Sequence, residues 1–199
     1  MQTTIYLIRH GVTGWNKQKK YCGYMDVPLS REGCSQAKKL GARVKKIKFD
    51  AIYASDLKRA YKTARIAFGA SCAITRVPGL QEMNFGVLEG LRHDDIVKKY
   101  GRAYKKWLAD PFKNHLPKGE RIGAFQKRVT KAVKGLIAQN RGKTIAAVCH
   151  GGTISVFVMA VLRKKSFWKY VPRSTSVTIV EYKGNKPRIV LFDCIGHLL

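Results

Sequence analysis

The chain has 199 residues, of which 45% are hydrophobic, and this size and content suit one domain with a single buried core. No apolar stretch approaches the roughly 20 residues of a membrane-spanning helix, and no signal-peptide layout opens the chain, so we expect a soluble, cytoplasmic protein without membrane contact. Lysine and arginine number 39 against 12 acidic residues, giving a formal net charge of +27, but the charge is spread along the chain and predicts only non-specific contact with nucleic acid.

Strand-like and helix-like segments alternate along the chain, which is the pattern of an α/β domain. Between the strands, Ser30 is placed to cap one amphipathic helix and Asp56 to cap the next. We predict a three-layer sandwich with a central, mostly parallel sheet of about six strands and helices on both faces. The predicted strands are residues 3–9, 51–54, 74–77, 144–149, 176–182 and 188–193.

Residues 86–121 differ from the rest, because they are rich in Lys, Asp and Trp, and because Pro111 and Pro117 are expected to break any long helix. We predict that this segment is a lid or substrate loop within a single domain of residues 1–199. An exposed edge strand at 188–193 would also permit a homodimer.

The candidate chemical groups lie where the predicted strands end. Arg9 and His10 close the first strand and His150 closes the fourth. Arg59 begins the helix after the second strand, and Glu82 follows the third. Because ligands collect at the carboxyl edge of parallel strands, we expect these five side chains to share one crevice.

This set of side chains favours an anion site with an acid. Guanidinium forks match phosphoryl oxygens, and a nearby carboxylate can give or take a proton. A metal site built from His10, His150 and Glu82 is the alternative, but it lacks helical H-x-x-x-H spacing and would place Arg9 against the cation. The five cysteines form no C-x-x-C pair that would indicate zinc or a redox dithiol.

Several blocks of sequence also carry a resemblance to a known family. They are Arg9-His10-Gly11 with Asn16, Asp26-Val27-Pro28-Leu29, Ser55-Asp56-Leu57 with Arg59-Ala60, Leu80-Gln81-Glu82, and His150-Gly151-Gly152. In order and spacing they resemble the histidine phosphatase superfamily, in its phosphoglycerate-mutase-like branch, over nearly the whole chain.

The resemblance implies that His10 is a nucleophile that becomes a phosphohistidine, its ring held by a hydrogen bond from its other nitrogen to a nearby carbonyl. It implies that Glu82 protonates the leaving oxygen and then deprotonates the attacking water. No metal or organic cofactor is implied. The phosphoryl group is expected to be bound by Arg9, Asn16, Arg59, His150 and the backbone amide of Gly151.

The substrate is expected to be a small organic phosphomonoester. The short chain favours a phosphatase over a phosphoglycerate mutase, and the stretch from Trp107 to Arg128 resembles α-ribazole phosphatases of cobalamin synthesis and related broad-specificity phosphatases. Arg121 departs from that subgroup, which usually has Ser or Thr there, and its presence removes an expected helix cap. The mutase remains an alternative, as does a non-catalytic, polybasic module that binds phosphorylated ligands or RNA.

Overall fold

The computed structural model describes residues 1–199, and its centre is one sheet of six strands. These are β1 (Gln2–Arg9), β2 (Ala51–Ala54), β3 (Ile74–Arg76), β4 (Thr144–Cys149), β5 (Val177–Lys183) and β6 (Lys186–Cys194). Their order across the sheet is β3-β2-β4-β1-β5-β6. The first four strands pair in parallel, and β5 and β6 are antiparallel. Every predicted strand is present, and β6 differs most, because it begins at Lys186.

Six helices cover the two faces of this sheet. They are α1 (Gly14–Lys17), α2 (Arg31–Val44), α3 (Lys58–Phe68), α4 (His93–Ala109), α5 (Ile122–Gln139) and α6 (Gly151–Leu162). Leu40 of α2 and Ala64 of α3 pack with Ile8 on one face of the sheet, whereas Phe125 of α5 and Phe157 of α6 belong to the larger hydrophobic cluster on the other face. The predicted three-layer α/β architecture is therefore confirmed. No helix is both long and apolar enough to cross a membrane.

The helix starts follow the predicted caps in one case and not in another. Ser30 Oγ accepts the Gly33 amide at 3.0 Å, as expected. The expected cap at Asp56 is wrong, because α3 begins only at Lys58 and Leu57 takes the cap position. The Asp56 carboxylate instead accepts a hydrogen bond from Gln81 Nε2 at 3.0 Å and so ties the start of α3 to the neighbouring loop.

Residues 86–121 contain α4, a 17-residue helical segment that is kinked at Tyr100, where the backbone leaves helical geometry, and that the sequence pattern did not predict. The two prolines do not break it, because the helix ends at Ala109, before either of them. Its inner face is apolar, with Tyr104 and Trp107 buried in the larger hydrophobic cluster. At the start of α5, Arg121 occupies the cap position without a side-chain capping bond, as its substitution for a hydroxyl residue predicts.

Candidate active site

His10 lies at the carboxyl end of β1 and is only 3% exposed. Its Nδ1 atom is 2.7 Å from the carbonyl oxygen of Gly11. A carbonyl can only accept a hydrogen bond, so Nδ1 carries the ring proton and Nε2 keeps its lone pair. Burial, followed by the charges of Arg59 and Arg9, holds the pKa of His10 well below 6.5. The ring is therefore neutral near pH 7 and has a free nucleophilic nitrogen.

Two guanidinium groups lie beside His10 without a carboxylate partner. Arg59, in the first turn of α3, is fully buried and donates to the carbonyl oxygens of Met25 at 2.9 Å and Gly23 at 2.6 Å. Arg9 donates to the carbonyl of Pro172. Burial lowers the pKa of both arginines, yet each remains charged. The Nε atoms of both are buried and have no hydrogen-bond partner in the protein.

His150 lies beside His10, at the junction of β4 and α6. The two ring centroids are 5.1 Å apart and the planes are inclined at 63°. His150 Nε2 is 2.9 Å from Ser55 Oγ, whereas its buried Nδ1 has no partner. Burial, together with the charge of Arg59, lowers the pKa of His150 well below 6.5, so this ring is neutral too.

Glu82 follows the short 3-10 turn after β3 and lies opposite the start of α6. Its Oε1 accepts the amide of Met83 at 2.9 Å, and its Oε2 accepts the amide of Gly152 at 3.0 Å. Arg128 holds the backbone of this loop, because it donates to the carbonyl oxygens of Gly79, Gln81 and Glu82. The Arg128 fork is held in turn by Glu120 at 2.8 and 3.0 Å. Hydrogen bonds to both its side chain and its main chain thus fix the position of Glu82.

These groups surround a cavity of about 170 Å³. Asn16 faces it while its Oδ1 accepts from the amide and hydroxyl of Thr13 at 3.0 and 2.9 Å. Gly151 supplies the first amide of α6, which has no acceptor within the helix. The structure brings all the sequence-predicted site residues together: Arg9, His10, Asn16, Arg59, Glu82 and Gly151 line the cavity, and His150 is in contact behind it.

The arrangement does not favour the alternative metal site. Among the residues of this chain, no group of three or more His, Cys, Asp or Glu side chains is placed to hold a metal ion. His10 Nδ1 is already committed to the Gly11 carbonyl, and two guanidinium groups beside the ring would repel a cation. A cluster of cations around neutral imidazoles is suited to an anion.

Sequence reasoning missed the outer wall of the cavity, which is largely aromatic. Tyr21, Phe85, Phe167 and Trp168 line it together with Lys20. Trp168 has its ring centroid 5.1 Å from that of the buried Trp107, which does not itself line the cavity. The sequence feature that could have predicted this wall was the aromatic pair Phe167-Trp168 at the end of a basic cluster. Ser55 was recognised only as part of a motif, although it ends a strand just as His10 and His150 do.

Comparisons with known proteins agree with this geometry. Phosphoglycerate mutase-like protein 4 of Arabidopsis thaliana is 32% identical over 98% of this chain and 86% of its own length. The adenosylcobalamin/alpha-ribazole phosphatase of Salmonella typhimurium is 32% identical over 83% of this chain and 84% of its own. A solved phosphoserine phosphatase of Entamoeba histolytica, in complex with 3-phosphoglyceric acid, superposes with a TM-score of 0.88 at 30% identity, covering 99% of this chain and 100% of that one. The family model of the histidine phosphatase superfamily (branch 1) matches residues 5–195, so the chain belongs to that superfamily and is a phosphatase of the histidine-phosphatase type.

Proposed function

We propose that the protein is a metal-independent phosphomonoesterase that acts through a phosphohistidine at His10. One observation carries this proposal. Three buried nitrogen atoms, Arg9 Nε, Arg59 Nε and His150 Nδ1, have no partner in the protein and belong to residues close to the neutral His10 ring. A buried donor without a partner costs about 1–3 kcal/mol, and the oxygens of a phosphoryl group would satisfy the two guanidinium donors and His150 Nδ1 when it carries the ring proton.

In the first step, the lone pair of His10 Nε2 attacks phosphorus in line with the bond to the leaving oxygen. The nitrogen–phosphorus bond forms as the phosphorus–oxygen bond breaks, and the electron pair of that bond goes to the leaving alcohol. Glu82, protonated at the start of the step, gives its proton to that oxygen. Arg9, Arg59 and His150 hold the equatorial oxygens, because catalysis of phosphoryl transfer depends mainly on positioning and charge stabilisation.

In the second step, water attacks the phosphohistidine while the Glu82 carboxylate takes its proton. The nitrogen–phosphorus bond breaks, its electron pair returns to His10 Nε2, and inorganic phosphate leaves. Asn16 and the amide of Gly151 act as further donors to the phosphoryl oxygens in both steps. The amide of Gly152 donates to Glu82 and orients its carboxylate, so it does not bind the phosphoryl group.

The leaving group is recognised by the aromatic wall. Tyr21, Phe85 and Trp168 suit a flat organic alcohol, which supports α-ribazole 5′-phosphate as a candidate substrate, as the name of the Salmonella relative also does. A role in cobalamin biosynthesis would follow from that substrate. The Arabidopsis relative and the bound ligand of the Entamoeba enzyme make 3-phosphoglycerate the compound to test against it.

Residues 86–121 contribute to this recognition indirectly. Trp168 Nε1 donates to the carbonyl of Leu108 at 3.2 Å, so the end of α4 supports the aromatic wall. We therefore retain the substrate-loop role of this segment as a proposal, together with a single domain over residues 1–199. A homodimer through the edge strand β6, non-specific nucleic-acid contact and a cytoplasmic location also stay predictions.

The test is hydrolysis of p-nitrophenyl phosphate in the presence of EDTA by the wild type, by His10→Ala and by His115→Ala, which alters an exposed histidine outside the cavity. We expect wild-type and His115→Ala activity to survive EDTA and His10→Ala activity to be lost. Activity that disappears in EDTA would refute the metal-free mechanism, and an active His10→Ala would refute the nucleophile.

A panel of α-ribazole 5′-phosphate, phosphoserine and 3-phosphoglycerate then ranks the substrates by kcat/KM. Isomerisation of 3-phosphoglycerate in preference to release of phosphate would instead establish the mutase. Tight RNA binding at physiological salt without hydrolysis of any phosphomonoester would establish the non-catalytic module.

A further inference from the structure

We propose that Ser55 is a positioning residue that fixes the tautomer of His150, so that His150 Nδ1 carries a proton for the phosphoryl group. The proposal rests on the function proposed above. Ser55 is the first residue after β2 and is fully buried. Its backbone amide donates to the carbonyl of Val148 at 2.9 Å, which anchors it beside the strand that leads into His150.

The Ser55 hydroxyl proton has one possible hydrogen-bond acceptor in the protein, His150 Nε2. Ser55 Oγ accepts the amide of Leu57 at 3.3 Å and lies 2.9 Å from His150 Nε2. A hydroxyl has a single proton, and no other acceptor contacts this buried oxygen. Either direction of this bond leaves one buried donor without a partner in the protein: the Ser55 hydroxyl if Nε2–H donates, or His150 Nδ1–H if Nε2 accepts. The Ser55 hydroxyl has no other acceptor, whereas the His150 ring lies against His10, where a phosphoryl oxygen can accept from Nδ1–H. We therefore assign Ser55 as the donor and His150 Nε2 as the acceptor.

The position of the remaining ring proton follows from this assignment. The His150 ring is neutral and carries one proton, because burial and the adjacent cations Arg59 and Arg9 disfavour a second. With Nε2 accepting from Ser55, that proton lies on Nδ1. Nδ1 is buried and has no partner in the protein, so its N–H is free to donate to a phosphoryl oxygen bound at His10.

The opposite tautomer would work against catalysis. A lone pair on Nδ1 would face the oxygens of a phosphate dianion, which can only accept hydrogen bonds, and the contact would become repulsive. The same hydroxyl also accepts from Leu57, the residue that precedes α3 and thus Arg59. Ser55 therefore contacts both His150 and the residue that leads into the Arg59 helix.

The first arm of the test measures the tautomer in the free wild-type protein, by nitrogen-15 NMR of histidine-labelled samples. His150→Asn identifies the His150 signal among the five histidines of the chain. We expect Nδ1 to be protonated and Nε2 to be bare. A protonated Nε2 with a bare Nδ1 would overturn the proposal, whether or not any variant folds and whichever substrate the enzyme prefers.

The second arm compares Ser55→Ala with Ser176→Ala, which removes another buried serine hydroxyl, one that has no hydrogen-bond partner. We expect Ser55→Ala to lose the fixed Nδ1–H signal of His150 and to lower kcat/KM by roughly 10- to 100-fold, a size typical when a partner that orients a functional histidine is removed. Ser55→Thr, which retains the hydroxyl, should restore both. A folded Ser55→Ala that matches Ser176→Ala in tautomer and kinetics would refute the role, whereas an inactive wild type with the expected tautomer would refute only the phosphatase function.

Discussion

Replacement of Arg59 by lysine tests whether a planar fork, and not charge alone, is required at the phosphoryl site. The two terminal nitrogens of Arg59 already donate to the carbonyls of Gly23 and Met25, while Nε is left without a partner. A lysine ammonium is one point charge on a flexible stem, so it cannot hold both carbonyls and also present a donor to the substrate. In Arg59→Lys, the ammonium group therefore loses either a hydrogen bond to one of these two carbonyls or the hydrogen bond to the phosphoryl oxygen.

The size of the effect follows from the hydrogen bond that is lost. A hydrogen bond involving a charged group contributes about 1.5–3 kcal/mol. Since about 1.4 kcal/mol corresponds to a factor of ten, kcat/KM should fall by roughly 10- to 150-fold. Inhibition by inorganic phosphate should weaken in parallel, because the same donor binds the product. Stability should fall as well, since one buried carbonyl is left without a donor.

The assay is p-nitrophenyl phosphate hydrolysis with phosphate inhibition and thermal unfolding measured on the same samples. Arg65→Lys is the matched control, because Arg65 lies in the last turn of the same helix and does not line the cavity. We expect this control to retain wild-type kinetics. If Arg59→Lys kept kcat/KM within about threefold of Arg65→Lys, the requirement for a fork at this position would be refuted.

Three further predictions concern the acid, its support and the nucleophile. Gly152→Ala should lower kcat in steady-state assays, because the added Cβ would lie 2.3 Å from the Glu82 carboxylate. Gly123→Ala is the control, because its added Cβ would have no atom within 4 Å, and it should leave kcat unchanged. Equal kcat values for the two variants would contradict this prediction. Arg128→Met and Glu120→Gln should each lower kcat more than they change KM, and a double-mutant cycle should show strong coupling rather than additivity, because the two side chains form one unit. Burial lowers the pKa values of His10, His150 and His197, so the unfolded chain binds more protons than the folded protein below about pH 6.5. Their contribution to stability should be fully present above that pH and be lost as the pH falls, which thermal unfolding from pH 7 to 5 would measure. A melting temperature that rises on acidification would refute the neutral state of these rings.

The convergence of the site was predictable because it depends on strand ends. His10 and His150 end adjacent parallel strands, β1 and β4, whose register pairs Arg9 with Cys149. Once the sheet is parallel, these two rings must meet at one edge, and the structure places them 5.1 Å apart. The apolar periodicity that marks the strands therefore also locates the histidines.

The outer wall of the cavity was not predictable, because its residues do not lie at strand ends. Lys20 lies in the loop after α1 and Trp168 begins a three-residue 3-10 turn after α6, and hydrophobic periodicity does not determine where such short connecting segments run. Asp56 does not cap α3, because its carboxylate accepts from Gln81 Nε2, and the distant Asp26 accepts the Lys58 amide at the helix start instead. Local rules located the groups proposed to act on phosphorus, and tertiary contacts decided the rest of the cavity wall.

The junction of β4 and α6 explains why the acid and the phosphoryl-binding groups can lie so close together. At Gly151 an added Cβ would lie 3.2 Å from the guanidinium carbon of Arg9, and at Gly152 it would meet the Glu82 carboxylate. Backbone amides at the start of a helix carry partial positive charge, so they can serve both a carboxylate and a phosphoryl oxygen without the bulk of a side chain. A side chain at Gly151 would crowd the Arg9 guanidinium, and one at Gly152 would displace the Glu82 carboxylate. The start of α6 thus positions His150, a free backbone amide that lines the cavity, and the Glu82 carboxylate at once.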